Sequence, residues 1–243
     1  MAAARRGALS PRLVVVPDDR ALARRAAEWI VERTRAAVAA RGTCAVALAG
    51  GTTPHATYEV LAHSALARAV PWEAVEWYFG DERAVPADDP ESNYRAVVLG
   101  LLVGRSDLLD RHLHRMPADA ASPETAAREY GRLLPDPLDV VLLGMGEDGH
   151  TASLFPGSPA LGERAERVAV VTGPKPPPRR MTITPPVIET ARDVLVLVSG
   201  AGKAETLARA LEGPVDASAL PVQLALRGTW IVDAAAAGRL ARP

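Results

Sequence analysis

Four times along this chain a short apolar run stops at glycine and is followed at once by polar or charged residues. The four ends are Gly50-Gly51-Thr52-Thr53, Gly80-Asp81-Glu82-Arg83, Gly144-Met145-Gly146-Glu147-Asp148-Gly149-His150 and Ser199-Gly200-Ala201-Gly202-Lys203. Short apolar runs without alternation are the mark of strands buried on both faces, and the segments between these runs carry helical spacing. That alternation commits a chain to a mostly parallel sheet covered by helices, because parallel strands must be joined by a crossover. In such folds ligands bind beyond the carboxyl ends of the strands, where glycine lets backbone N–H groups approach closely. The four glycine-bearing ends are therefore the candidate walls of one crevice.

The spacing predicts strands over residues 13–16, 44–49, 76–79, 139–143, 167–172, 181–184, 194–198 and 230–232, the last as an edge strand. Asp18 offers an N-cap to a long helix that closes at Gly42, with Leu22, Ala26, Trp29 and Ile30 on one face. Further helices are expected after Pro54, from Ser92, from Ser122-Pro123-Glu124, and from 200–202 to near Gly213. The fold class that follows is α/β: a mostly parallel sheet with helices on both faces, in a single domain spanning 1–243, with 1–10 as a loose tail. The chain is 48% apolar but only 4% aromatic, so Ala, Val and Leu must fill the core. A net charge of −1 gives no general attraction to nucleic acid or an acidic membrane. The run 13–16 is too short for a secretory signal, and no stretch of about 18 apolar residues occurs, so a cytoplasmic location is expected. The single cysteine, Cys44, falls inside a strand and supports neither a disulfide framework nor a Cys-rich metal site.

His150 is the histidine that emerges beside glycines and an acid, Asp148, at a strand end, where an imidazole can move protons near neutral pH. His55, His63, His112 and His114 lie on helices or a loop without that setting, and His112 and His114 lack a third ligand at metal spacing. Gly50, Gly51, Thr52 and Thr53 sit between a strand and a helix N-terminus, which suits a phosphate, although neither the P-loop nor the dinucleotide pattern is present. A tight turn with a capping threonine is the structural alternative. Lys203 occupies a second strand-to-helix turn. Arg179 and Arg180 both follow the proline-rich loop at 174–178, and composition alone does not separate them. Asp81, Glu82 and Arg83 offer a base, an orienter or an anion fork, or else an internal ion pair. With no Gly-x-Ser-x-Gly elbow and Cys44 within a strand, the chemistry that remains is a histidine-activated water.

Taken together, Leu48 through Pro54 with Tyr58, Trp77 through Val85 with Ser92-Asn93-Tyr94, Leu143 through Pro156, and Lys175 through Arg180, Thr182 and Thr184 to Gly202-Lys203-Ala204 resemble the 6-phosphogluconolactonase family across almost the whole chain. The resemblance implies a Rossmann-like fold, hydrolysis of a small phosphosugar lactone without metal or cofactor, and a monomer or weak homodimer. It aligns Arg180, not Arg179, with the family's Arg-x-Thr-x-Thr arginine. The implied catalytic residues are His150, Asp148 and Asp81, and the implied phosphate or carbonyl ligands are Gly50, Gly51, Thr52, Thr53, Arg83, Arg180 and Lys203. The related glucosamine-6-phosphate deaminases keep a glutamate in an Ala-Phe-Asn-Glu-Pro run; here Ala152-Ser153-Leu154-Phe155-Pro156 carries no acid. A sugar-phosphate sensor would be expected to carry a fused DNA-binding module, and no basic or helix-turn-helix stretch precedes residue 11.

Overall fold

A computed structural model describes residues 11–241, so the expected tail at 1–10 lies outside the described residues. The first strand, β1 (Arg12–Val16), leads through the Asp18 cap into α1 (Asp19–Arg41). The Asp18 carboxylate accepts the Ala21 N–H at 2.8 Å, and Gly42 ends the helix in the left-handed region at φ 82°. Leu22, Ala26, Trp29 and Ile30 are all buried, as the helical spacing requires. Then follow β2 (Cys44–Leu48), α2 (Thr52–His63), β3 (Val75–Phe79), β4 (Asp81–Arg83), α3 (Asn93–Gly100), α4 (Ser106–His112), α5 (Pro123–Leu133) and β5 (Val140–Gly144). The second half is β6 (Val168–Thr172), β7 (Arg179–Ile183), α6 (Pro185–Thr190), β8 (Asp193–Val198), α7 (Ala204–Glu212) and β9 (Thr229–Asp233). Among the described residues no helix is long and apolar enough to cross a membrane.

Six strands form one parallel sheet in the order β1-β9-β8-β5-β2-β3. Every residue of β2 is buried, so the sheet is covered on both faces. From β2 the chain passes to β3 on one side, and later strands build outward through β5 on the other. The loops after β2 and β5 thus flank the point where strand order reverses, the place where open α/β sheets bind ligands.

Three expectations need correction. The strand at 230–232 is internal: β9 lies between β1 and β8, and Trp230, Ile231 and Val232 are fully buried, while β1 is the edge. A short Trp-Ile-Val run at the end of a chain looks like an edge only because its partners lie far away in sequence. The strands near 167–172 and 181–184 do not join the parallel sheet. With β4 they form a separate antiparallel sheet, β4-β7-β6, which pairs Asp81 with Thr182 and Arg83 with Arg180. Asp81-Glu82-Arg83 was invisible as a strand because it carries three charges and no apolar residue.

His112 and His114 also proved to have an acidic partner. His114 N–H bonds Trp77 C=O, so this segment runs beside β3, and Glu76 is held between the two imidazoles at 3.0 and 2.7 Å. Partial burial opposes ionisation of Glu76, but the hydrogen bonds from His114 and His112 outweigh it and hold the carboxyl below its usual range. A lowered folded pKa gives stability that is present above the unfolded carboxylate value, about 4.3, and is lost as pH falls through the folded value. The melting-temperature difference between the native protein and Glu76→Gln should therefore shrink as pH is taken from 7 down to 3. A constant difference would show that the carboxylate charge contributes nothing.

Candidate active site

The turn after β5 brings the acid and the histidine into direct contact. Asp148 Oδ1 lies 2.5 Å from His150 Nδ1 and also accepts the His150 backbone N–H at 3.2 Å. Partial burial alone would raise the Asp148 pKa; the bond from the His150 ring overrides it and keeps the group ionised. An ionised partner assigns the hydrogen to Nδ1, which leaves Nε2 with the free lone pair. The contact needs Gly146: a Cβ there would fall 2.0 Å from His150 Nδ1 and 2.5 Å from Asp148 Oδ1. The same glycine donates its N–H to His150 C=O at 2.9 Å, closing the turn. Side chains from the β8–α7 connection and the first turn of α7 pin the loop, with Lys203 Nζ on Met145 C=O at 2.7 Å and Thr206 Oγ1 on Glu147 C=O at 2.5 Å.

Around this pair lies a cavity of about 340 Å³ whose walls come from all four glycine-bearing ends. Gly50, Gly51, Thr52 and Thr53 line one side. Gly51 is the N-cap of α2 and has no side chain to satisfy the first N–H groups, so the alternative of a capping threonine is not realised and the helix end stays open to an anion. Asp81 is 5% exposed; its Oδ2 accepts Ser153 Oγ at 2.6 Å and its Oδ1 accepts Asn93 Nδ2 at 3.2 Å. Arg83 and Arg180 enter from directly opposite positions on β4 and β7. Burial, then the neighbouring Arg83 charge, lowers the Arg180 pKa. Two facing arginines are mutually unfavourable until an anion joins them. Arg179, one residue earlier on the alternating strand, is exposed and does not line the cavity. Lys203 also lines the cavity, with its pKa lowered chiefly by burial.

Glu82 does neither of the things its charge suggested. Among the described residues it makes no ion pair, and it does not line the cavity. Its carboxylate accepts the N–H groups of Asn93, Tyr94 and Arg83 at 2.7 to 2.8 Å and Ser92 Oγ at 3.1 Å, capping α3. Burial, opposed by these bonds, pushes its carboxyl pKa up. Sequence reading gave no site role to Asn93, Glu147, Lys175 or Ser199, all of which line the cavity. Lys175 had a signal, a cation inside a proline-stiffened loop, and Asn93 followed a helix-capping serine. Glu147 and Ser199 carried none beyond adjacency to glycine. Cys44 is buried at the start of β2 with its thiol pushed up to about 12, which suits a core residue. Among the described residues no group of three or more His, Cys, Asp or Glu is placed to hold a metal ion.

The sequence model described as glucosamine-6-phosphate isomerases/6-phosphogluconolactonase matches residues 17–232. A 6-phosphogluconolactonase of Mycobacterium tuberculosis is 39% identical, over 96% of this chain and 99% of its own length. One from Synechocystis sp. is 37% identical, over 93% and 96% respectively. Among solved structures, the 6-phosphogluconolactonase of Trypanosoma brucei superposes with a TM-score of 0.83 at 31% identity, covering 96% of this chain and 99% of that one. A monomeric glucosamine-6-phosphate deaminase reaches a TM-score of 0.80 at 22% identity, a likeness of fold. With the matched segment taking in every cavity wall and both partners of the Asp148–His150 contact, this chain belongs to the glucosamine-6-phosphate isomerase/6-phosphogluconolactonase family.

Proposed function

We propose that this chain hydrolyses 6-phospho-D-glucono-1,5-lactone to 6-phospho-D-gluconate, the second step of the oxidative pentose phosphate pathway, with His150 activating the attacking water. The observation that carries the reading is the Asp148–His150 pair at the wall of a cavity lined by Arg83, Lys175, Arg180 and Lys203. Its 31–39% identical relatives of matching length bear the 6-phosphogluconolactonase name.

In the proposed sequence His150 Nε2 takes a proton from water as the oxygen attacks the lactone carbonyl. Asp148 stabilises the resulting imidazolium through Nδ1–H. Collapse of the tetrahedral species breaks the bond to the ring oxygen, which receives the proton from Nε2 and leaves as the 5-hydroxyl. Asp81, fixed by Ser153 and Asn93, is assigned to the sugar hydroxyls or to the incoming water. Arg83, Arg180, Lys203 and the 50–53 loop share the phosphate and the developing carbonyl oxyanion. The segment after His150 carries Leu154 and Phe155, both buried, in place of the acid that deaminases keep.

The test follows lactone hydrolysis at neutral pH with the spontaneous rate subtracted, alongside ammonia release from glucosamine 6-phosphate. Lactone turnover without ammonia is expected. Ammonia release without lactone turnover would move the chain to the deaminase branch of the family. Binding of either compound without turnover would make it a sugar-phosphate sensor.

A further inference from the structure

We infer that Phe155 is a positioning residue of this reaction, a single ring that backs both the His150 imidazole and the Arg180 guanidinium and fixes their spacing. The inference rests on the lactonase reading above. Three independent observations meet at this ring. The Phe155 and His150 centroids are 4.8 Å apart with the planes inclined by 40°, a tilted aromatic pair. Arg180 Cζ lies 5.6 Å from the same centroid, within cation–π range. The far edge of the ring is seated on Gly173, where a Cβ would fall 2.7 Å from Phe155 Cε2, 2.9 Å from Cζ and 3.3 Å from Arg180 Nε.

Phe155 itself is buried and does not line the substrate cavity. It lines a second cavity behind that site together with Asp148, Pro156, Ala160, Val171 and Pro174. The ring is thus a partition. On one side stand the two groups that must meet the substrate at opposite ends; on the other is a space that reaches the Asp148 carboxylate. Asp148 holds the His150 ring at one nitrogen only, which leaves rotation about that bond open. The Phe155 face closes that freedom. Arg180 is held at its Nε by Pro177 C=O at 3.1 Å and, more loosely, at Nη2 by Lys175 C=O at 3.4 Å. Its guanidinium is therefore steered by the same ring.

Because the ring touches a proton-transfer group and an anion-binding group, its removal should be read in both kinetic constants. Phe155→Ala is expected to lower kcat about tenfold, in line with misplacement of a catalytic group, and to raise KM about fivefold through the lost cation–π face. Phe155→Leu keeps an apolar wall but no aromatic face, so kcat should recover while KM stays raised. Gly173→Ala presses on the ring from behind, at an ordinary backbone φ, and should lower kcat and raise KM although it alters no group assigned to the substrate. Melting temperatures identify any variant that has not folded, and Gly173→Ala with Phe155→Leu decide the matter if Phe155→Ala does not fold. Folded Phe155→Ala and Gly173→Ala proteins with native kcat and KM would overturn the positioning role in an active lactonase. A native protein that leaves the phospholactone untouched would instead overturn the underlying reading, and the inference with it.

Discussion

Replacing His150 with alanine is expected to lower kcat for the phospholactone by about 10² to 10⁴, the contribution usual for a positioned acid–base group. Among the described residues, this is the imidazole at the cavity wall whose second nitrogen is engaged by an ionised carboxylate, at 2.5 Å. Removing it leaves the cations and the α2 N-terminus in place, so KM should hardly change and the substrate should bind at its ordinary affinity. Asp148→Asn should fall between the two proteins. The amide keeps the shape but no longer favours the Nδ1–H tautomer or offsets the imidazolium, so part of the His150 population presents the wrong nitrogen. The measurement is initial-rate kinetics at several lactone concentrations, with the uncatalysed rate determined in the same buffer. A folded His150→Ala protein with native kcat would end the base assignment.

The second large effect belongs to Arg180. Arg180→Ala should raise KM for the phosphorylated lactone by about 10- to 100-fold, the span of one lost hydrogen-bonded contact to a charged group, about 1.5–3 kcal/mol. Plain gluconolactone should be affected far less, so the preference for the phosphorylated substrate should collapse. The argument is one of geometry as much as charge. Arg180 is 8% exposed and faces Arg83 across the β4–β7 ladder, an arrangement that a dianion satisfies and solvent does not. Parallel kinetics on the two lactones provide the check. If the preference for the phosphorylated compound survives, Arg180 serves the carbonyl or the scaffold and the phosphate lies against Lys203 and the 50–53 loop.

What could be read in the sequence tracks what is local in the fold. The parallel strands were legible because each is built on a short apolar run, and α1 because Asp18 and Gly42 bracket it within a single helix. The Asp148–His150 contact was suspected because both partners sit on one turn. The illegible parts depend on pairing over long separations. β4 is a strand only because β7, about a hundred residues later, pairs with it, and Glu82 turned out to be a helix cap because α3 begins eleven residues on. Glu76 between His112 and His114 is hidden for the same reason, since a carboxylate in a strand does not announce which later residues will flank it. Arg180 could be told from Arg179 by resemblance, and the alternation of β7 supplies the physical ground, sending one residue inward and its neighbour out.

The division between the two sheets has a consequence for how such a protein can diverge. The acid–histidine pair is carried by a five-residue turn closed by its own hydrogen bonds and pinned from outside by Lys203 and Thr206. The paired arginines that line the cavity belong to the small antiparallel sheet, which also brings Asp81 to the same cavity. Under the proposed function, proton transfer and anion binding therefore rest on different strands that meet through Asp81 and the Phe155 ring. Under that function, exchanges in the small sheet and its proline-rich loop should alter the choice of anionic sugar more than the geometry of the Asp148–His150 turn.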